Sequence, residues 1–350
     1  MISKGFFESL EDIANERSLN IEKILEKVEY AMQIACKNSD CPYKGEIRME
    51  TNYERKVIAF YDYHHVVSEI DPEGIRGQIL LEDAQEIKPK IKMDQEFREK
   101  IDLKVFKRKA ASMFRQTLLN ELKGLEREEA YDFFITKVGE IVTGRIIGKN
   151  ERFITIALKA GVEATMSLRD AIPGEEFSIG DELKVYVNDV QKTTKGPRIH
   201  ISRNNNNMVK QLFELNIPEV ASGQIEIKAI AREVGNRTKV GVISLVSDVD
   251  AKGSCVGSKG SRIKNINNAL NGEKIDIFLW SDDPNELVAN ALAPATIISV
   301  TTDEAEKKAE VVVADDQFSL AIGKSGQNVK LAAIASGWKI DIKKASEQSE

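Results

Sequence analysis

Two four-residue stretches carry the clearest chemistry in this chain: Gly257-Ser258-Lys259-Gly260 and Gly323-Lys324-Ser325-Gly326. Glycines at both ends of such a loop let a phosphate backbone come close, because no side chain stands in the way. A helix that begins directly behind the loop offers unpaired N–H groups and a partial positive charge. Arg262 and Lys264 follow the first loop and Lys330 follows the second, adding cations. Val256, Ile263 and Ile275, and in the second copy Ile322, Val329 and Ile340, would line a groove for unstacked bases. This is the working principle of the KH module, whose loop clamps single-stranded nucleic acid. One Gly-x-x-Gly can equally be a helix end followed by a new helix, so the weight rests on the duplication. A nucleotide-hydrolase phosphate loop is excluded, because 253–259 is one residue short of Gly-x-x-x-x-Gly-Lys and Gly260, not Ser or Thr, follows the lysine.

The surroundings repeat as well. VGSKGSRIKNINNALNGEKIDI (256–277) and IGKSGQNVKLAAIASGWKIDI (322–342) share an apolar residue, the loop, an amphipathic segment ending in Gly, and Lys-Ile-Asp-Ile. Tandem domains follow from two such copies, since a stacked solenoid needs more. Hydrophobic periodicity predicts α-β-β-α-α-β in each. The first copy has helices at 208–215, before Gly257 and at 261–270, with strands at 224–232, 238–245 and 274–280. The second has helices at 284–293, 316–322 and 327–336, with strands at 296–301, 309–314 and 339–343. Pro284 behind the capping residue Asp283 is a clean helix start, and 281–284 is too short to be a flexible linker, so the pair should pack as one rigid body.

Upstream, short β-like runs at 140–147, 153–158, 162–166, 183–190 and 198–202 are punctuated by Gly, Asn and Pro. Five closely spaced strands predict a small barrel of the OB type, whose strand face binds oligonucleotides. On that face Phe153, His200 and Arg203 are candidates for stacking and phosphate contact, with Phe153 equally readable as core. Residues before the barrel read as one α+β unit. It has a helix capped by Asn20, strands at 46–51 and 56–61, a further hydrophobic run at 64–70, turns at 38–42 and 71–74, and a long helical stretch from Asp94 with Leu103, Phe106, Ala110, Met113, Phe114, Leu118, Leu122 and Leu125 on one stripe. Lys107-Arg108-Lys109 beside that stripe reads as a solvated face or as a contact for RNA or an acidic partner.

The domains expected are therefore 1–130 (N-terminal α+β), 131–205 (barrel), 206–283 and 284–345 (the repeats), with a polar tail at 346–350. A net charge of −6 and a pI near 5.5 argue against nucleic-acid binding by bulk electrostatics. Over 222–283 nine cationic side chains face eight acidic ones, so affinity must come from loops and groove, with a gentle salt dependence. Residues 1–30 hold no continuous apolar run, which reads as no membrane association and a cytoplasmic protein. Cys36, Cys41 and Cys255 fit a reducing compartment. With three histidines in the chain, no metal site and no cofactor are expected. Nothing in 1–130 has catalytic spacing, so no enzyme is expected; the rival enzyme reading is an RNA-degrading phosphorolytic nuclease, which carries similar barrel and KH tails.

The order of parts, with GEIVTGRI (139–146), KTTKGPRIHISR (192–203), GSCVGSKGSRIKNINNALNGEKIDI (253–277) and DDQFSLAIGKSGQNVKLAAIASGWKIDI (315–342), closely resembles the NusA family of bacterial transcription factors. The resemblance spans nearly the whole chain and is most specific over 138–344. It implies a multidomain α+β protein: an N-terminal domain that docks on RNA polymerase, a five-stranded OB-fold β-barrel of the ribosomal S-one type, and two tandem type II KH domains (αββααβ) that hold nascent single-stranded RNA. The family acts in pausing, intrinsic termination and antitermination, alongside other antitermination factors; a monomer is expected here. The alternative on the same modules is a translation or ribosome-assembly RNA-binding factor. Many relatives have a bulkier, more basic pair where Ser258-Lys259 stands. Some also carry acidic C-terminal repeats, and the sequence ends at Glu350 without them.

Overall fold

A computed structural model describes residues 4–17, 19–37, 41–72, 74 and 76–348. They fall into two compact units, Met1–Phe133 with Lys192–Pro197, and Phe134–Gln191 with Arg198–Glu350.

In the first unit, α1 (Lys4–Arg17) and α2 (Ile21–Cys36) pack beside a sheet of β1 (Glu46–Asn52), β2 (Val57–Val67), β3 (Gln78–Leu80) and β4 (Glu96–Lys100). Two further helices are α3 (Leu81–Ile87) and α4 (Arg108–Ile135). Asn20 caps α2 as expected, its Oδ1 accepting from the Glu22 amide at 2.7 Å. The long helix starts later than the sequence predicts. Asp94 takes a positive φ, and Glu96–Lys100 forms a strand paired with β2. The β2 ladder recruits that segment, and Phe97 is buried against the His64 ring, centroids 5.0 Å apart. Leu103 and Phe106 therefore precede the helix yet join the same core as Leu118, Leu122 and Leu125. Lys107, Arg108 and Lys109 are exposed. Asn38, Ser39, Asp40 and Glu73 of the predicted turns, and residues 349–350 of the predicted tail, lie outside the described residues; 345–348 close a short 3-10 turn.

The second unit opens with β5 (Ile141–Lys149), β6 (Phe153–Ala157), β7 (Glu163–Ser167), β8 (Glu182–Thr193) and β9 (Gly196–Ser202), a nearly closed barrel of order β7-β6-β5-β8-β9. Alternation sends Ile146, Ile154, Ile156, Met166, Val185, Val187, Ile199 and Ile201 inward. The first repeat follows: α5 (Asn206–Asn216), α6 (Pro218–Ala221), β10 (Ile225–Glu233), β11 (Arg237–Ser244), α7 (Ala251–Val256), α8 (Ser261–Ala269) and β12 (Lys274–Leu279). The second has α9 (Pro284–Ala291), β13 (Ile297–Asp303), β14 (Lys308–Val313), α10 (Asp315–Ile322), α11 (Gln327–Ser336) and β15 (Lys339–Lys344). Each sheet joins an antiparallel pair to a parallel one, β10-β11-β12 and β13-β14-β15. The short α6 is the one addition to the predicted order.

Buried cations make the joints of this unit. Arg203, 3% exposed, bonds the Glu175 carboxylate through Nε at 2.8 Å and Nη2, and donates to the carbonyls of Lys184 and Ala269. It thereby ties the barrel to α8. Arg232 and Glu273, both fully buried, form a second ion pair. Glu273 also accepts from Thr238 Oγ1 and the Gly235 amide, while Arg232 donates to the carbonyls of Asn205 and Arg203. Lys239, 1% exposed, lies 3.8 Å from Asp276 and donates from Nζ to the Ala293 carbonyl at 2.7 Å, joining the two repeats. Around it Ala231 and Phe278 of the first repeat share one core with Leu287, Val288, Leu331 and Ala335 of the second. Register places Glu310 of the second repeat where the first has Lys239, and Lys343 where it has Phe278. That matching face has Val312 in place of Gly241 and is otherwise polar, with Ser299 and Thr301 exposed and Lys343 Nζ 2.9 Å from Glu310.

Removing one partner of a buried pair leaves the other charge uncompensated, at a cost of about 3–5 kcal/mol. Glu273→Ala should lower unfolding stability by about that amount in urea titrations, while exposed Glu304→Ala stays near wild type. Burial, opposed by Asp276, lowers the Lys239 pKa from 10.5 to about 8. Below pH 8 both folded and unfolded chains hold this proton. Between about 8 and 10.5 the unfolded chain binds more, so this group's contribution to stability rises with pH, by on the order of 3 kcal/mol. Lys239→Met should abolish that rise in unfolding curves recorded across the window.

Candidate nucleic-acid interface

The two loops have one geometry. Gly257 and Gly323 both adopt φ/ψ near 74/172, a region open essentially to glycine alone. The third residue is left-handed in each, Lys259 at 50/27 and Ser325 at 53/29, and the closing glycines have φ of 74 and 77. Holding a side-chain-bearing residue there costs about 1 kcal/mol, the kind of local strain retained at working sites.

Packing explains the first glycine of each loop. A Cβ on Gly257 would sit 2.8 Å from Arg262 Cγ, and one on Gly323 would sit 2.8 Å from Asn328 Cβ and backbone N. Those two residues hold equivalent places, five beyond the glycine, and each locks its loop. Arg262 Nη1 donates to Glu219 at 2.8 Å and to the Ser254 carbonyl at 2.7 Å. Buried Asn328 donates from Nδ2 to the carbonyls of Leu292 and Ala321. The second glycine faces open space: nothing lies within 4 Å of a Cβ built on Gly326, and only Ile263 at 3.8 Å for Gly260. Behind each loop, α8 and α11 begin with no side-chain cap, so their first-turn N–H groups are available to an anion.

Ser258, Lys259, Lys324 and Ser325 are exposed at the loop tips, with Lys264 and Lys330 exposed on the helices behind. Val256, Ile263, Ile275, Ile322, Val329 and Ile340 are half-buried beside them. The two loops belong to one packed body. Besides the shared core, Gln327 at the start of α11 donates to Glu233 at the end of β10 (3.0 Å), and this bond together with that from Asn236 holds the Glu233 carboxyl below its ordinary range.

On the barrel, Phe153 is 43% exposed at the start of β6 and available for stacking. His200 is half-buried on β9 with Nε2 shielded and unpartnered. Arg203 is a correction: its guanidinium is enclosed and saturated by Glu175 and two carbonyls, so it braces the barrel against α8 rather than meeting a phosphate. The structure groups the loop residues into two equivalent sites and leaves Phe153 and His200 on a separate domain.

Family models match the chain from end to end. The NusA N-terminal domain covers residues 5–128, the S1 RNA binding domain 136–202, the NusA-like first KH domain 203–280 and the NusA-like second KH domain 284–350. The transcription termination/antitermination protein NusA of Halalkalibacterium halodurans is 40% identical over 349 residues, covering 100% of this chain and 90% of its own. The chain belongs to the NusA family. Proteins of the same name from Bacillus subtilis and Thermus thermophilus are 38% and 35% identical, covering 100% and 98% of this chain and 93% and 91% of theirs. The repeats are accordingly its two KH domains and the barrel its S1 domain.

Sequence reasoning missed the loop-locking role of Asn328, though its position five residues beyond Gly323, matching Arg262, was a usable signal. Alanine at Gly257 or Gly323 should cost about 3 kcal/mol from backbone strain alone, since φ and ψ there exclude a side chain. Alanine at Gly260 or Gly326, left-handed but uncrowded, should cost about 1 kcal/mol. Urea unfolding of the four single variants gives the comparison.

Proposed function

We propose that the chain is a non-enzymatic RNA-binding transcription factor. It docks on RNA polymerase through its N-terminal domain and holds nascent single-stranded RNA on its two KH domains. The twin loops carry this reading: one backbone geometry, built twice in one packed body, with uncapped helix starts behind it and lysines around it. Backbone amides and glycine-sized gaps suit a sugar-phosphate chain of any sequence, and the half-buried aliphatic side chains beside them suit unstacked bases. Curated members of the family carry the name transcription termination/antitermination protein. By that kinship the chain modulates pausing, intrinsic termination and antitermination, with other antitermination factors as partners, as a monomer in the cytoplasm. Among the described residues no helix is long and apolar enough to cross a membrane.

RNA held on rigid KH domains while another domain grips the polymerase gives a physical route to regulation. A tethered strand has a raised effective concentration near the exit path, which biases hairpin formation there. Ser258→Asp with Lys259→Asp, or Lys324→Asp with Ser325→Asp, should each weaken binding of a short single-stranded RNA at least tenfold in fluorescence anisotropy; unchanged affinity would sink the clamp. Lys259, Lys264, Lys324 and Lys330 are the exposed cations at the loops, so log affinity against log salt should fall with a slope no steeper than about −3, taking ~0.7 per contact. Tagged full-length chain should co-purify with RNA polymerase subunits; ribosomal subunits in their place would favour a translation or ribosome-assembly factor.

A further inference from the structure

The second KH loop has a neighbour contributed by the first KH domain. Gln327, the first residue of α11 behind Gly326, donates from Nε2 to Glu233 at 3.0 Å. Glu233 ends β10, so one domain sets a carboxylate against the other's loop. Its place is built in. Arg232 just before it and the Gly235 amide two residues on both bond the buried Glu273 carboxylate. The turn closes through the Asn236 amide, which donates to the Glu233 carbonyl at 3.0 Å. Behind the first loop the residue equivalent to Gln327 is the exposed Ser261.

Each loop has an acid bonded to the helix behind it, and the two acids keep different company. Glu219 at the first is met by the Arg262 guanidinium at 2.8 Å, so its charge is cancelled where it stands. At the second loop Asn328 stands in the place of Arg262 and brings no charge. Glu233 is exposed, and its side-chain hydrogen bonds come from two carboxamides, Gln327 and Asn236. Amides satisfy the oxygens and leave the negative charge whole. With those two bonds, Lys330, one turn along α11, holds the carboxyl below its ordinary range. The lysine that faces this carboxylate is also one of the cations available to RNA.

We propose that Glu233 weakens the second KH clamp, standing as a resident anion beside the helix start that would hold a phosphate. A carboxylate near a helix N-terminus takes up part of the field that an incoming anion would use. Two like charges roughly 7 Å apart in water, the span of one glutamine side chain and one hydrogen bond, lower binding about threefold. A strand held on both clamps thus leaves the second more readily than its loop geometry alone would allow. RNA can then advance at that point while the first clamp keeps its hold. The inference rests on the RNA-binding reading above.

The test uses full-length chain with Glu233→Gln, which keeps an acceptor for Gln327 and Asn236 and removes only the charge. Anisotropy with a mixed-sequence 12-nucleotide single-stranded RNA is recorded at about 0.02 M and about 0.2 M salt, where screening lengths are roughly 20 Å and 7 Å. Thermal unfolding of each variant confirms folding. The expected result is an affinity gain of about threefold at the lower salt, shrinking at the higher. Added to Ser258→Asp with Lys259→Asp, the change should still give the gain; added to Lys324→Asp with Ser325→Asp, it should give none. Unchanged affinity overturns the proposal, and so does a gain that ignores salt or survives loss of the second loop. A fall in affinity also overturns it, marking the carboxylate as an acceptor for RNA. If wild type binds no RNA, the failure belongs to the RNA-binding reading itself.

Discussion

The C-terminal unit depends on arginine charge taken out of water and neutralised there. Arg203 and Arg232 are adjacent in space, since Arg232 donates to the Arg203 carbonyl, and each has its own buried carboxylate. Together they bind barrel, connecting segment, β10 and α8. Burying an ion pair is seldom a net gain in stability over a well-packed apolar contact. What it adds is direction: a guanidinium with carbonyls and a carboxylate at fixed angles accepts one arrangement of the parts around it. For a chain that carries an S1 domain and two KH domains in succession, a fixed arrangement matters more than the last increment of stability.

The same economy of charge explains a protein with a net charge of −6 that is built for an anionic ligand. Three of its basic side chains, Arg203, Arg232 and Lys239, serve as joints. At the two loops the exposed cations are Lys259, Lys264, Lys324 and Lys330. On the reading proposed above, attraction at the loops is local and backbone geometry carries the recognition. The fixed φ/ψ of Gly257 and Gly323 and the locks supplied by Arg262 and Asn328 keep the helix starts pointing outward without help from the ligand.

The repeat was legible because its elements are strongly patterned: glycine spacing, a helix period and the Lys-Ile-Asp-Ile strand recur together. The barrel strands were legible from alternation and turn residues. The first unit was less so. Phe7, Leu10 and Ala14 do mark α1 at helical spacing, but that helix was not anticipated. The stretch from Asp94 carries helix-compatible residues that a neighbouring strand captured, an outcome set by a partner more than 30 residues away. Arg203 was misread for a related reason. A lone arginine after a strand has the same appearance whether it meets phosphate or a buried glutamate 28 residues earlier. Burial of charge is a tertiary fact, and single residues do not announce it.

The polar sheet face of the second KH domain has a consequence for how many such domains can be stacked. On the first domain that face is Lys239, Gly241 and Phe278, shaped to receive the helices of a successor. On the second, Glu310, Val312 and Lys343 occupy the matching register, and Glu310 and Lys343 pair with each other. The tandem therefore has a sense, since the two sheets present different faces. A duplicated second domain would find nothing to seat upon, whereas a duplicated first domain would extend the row.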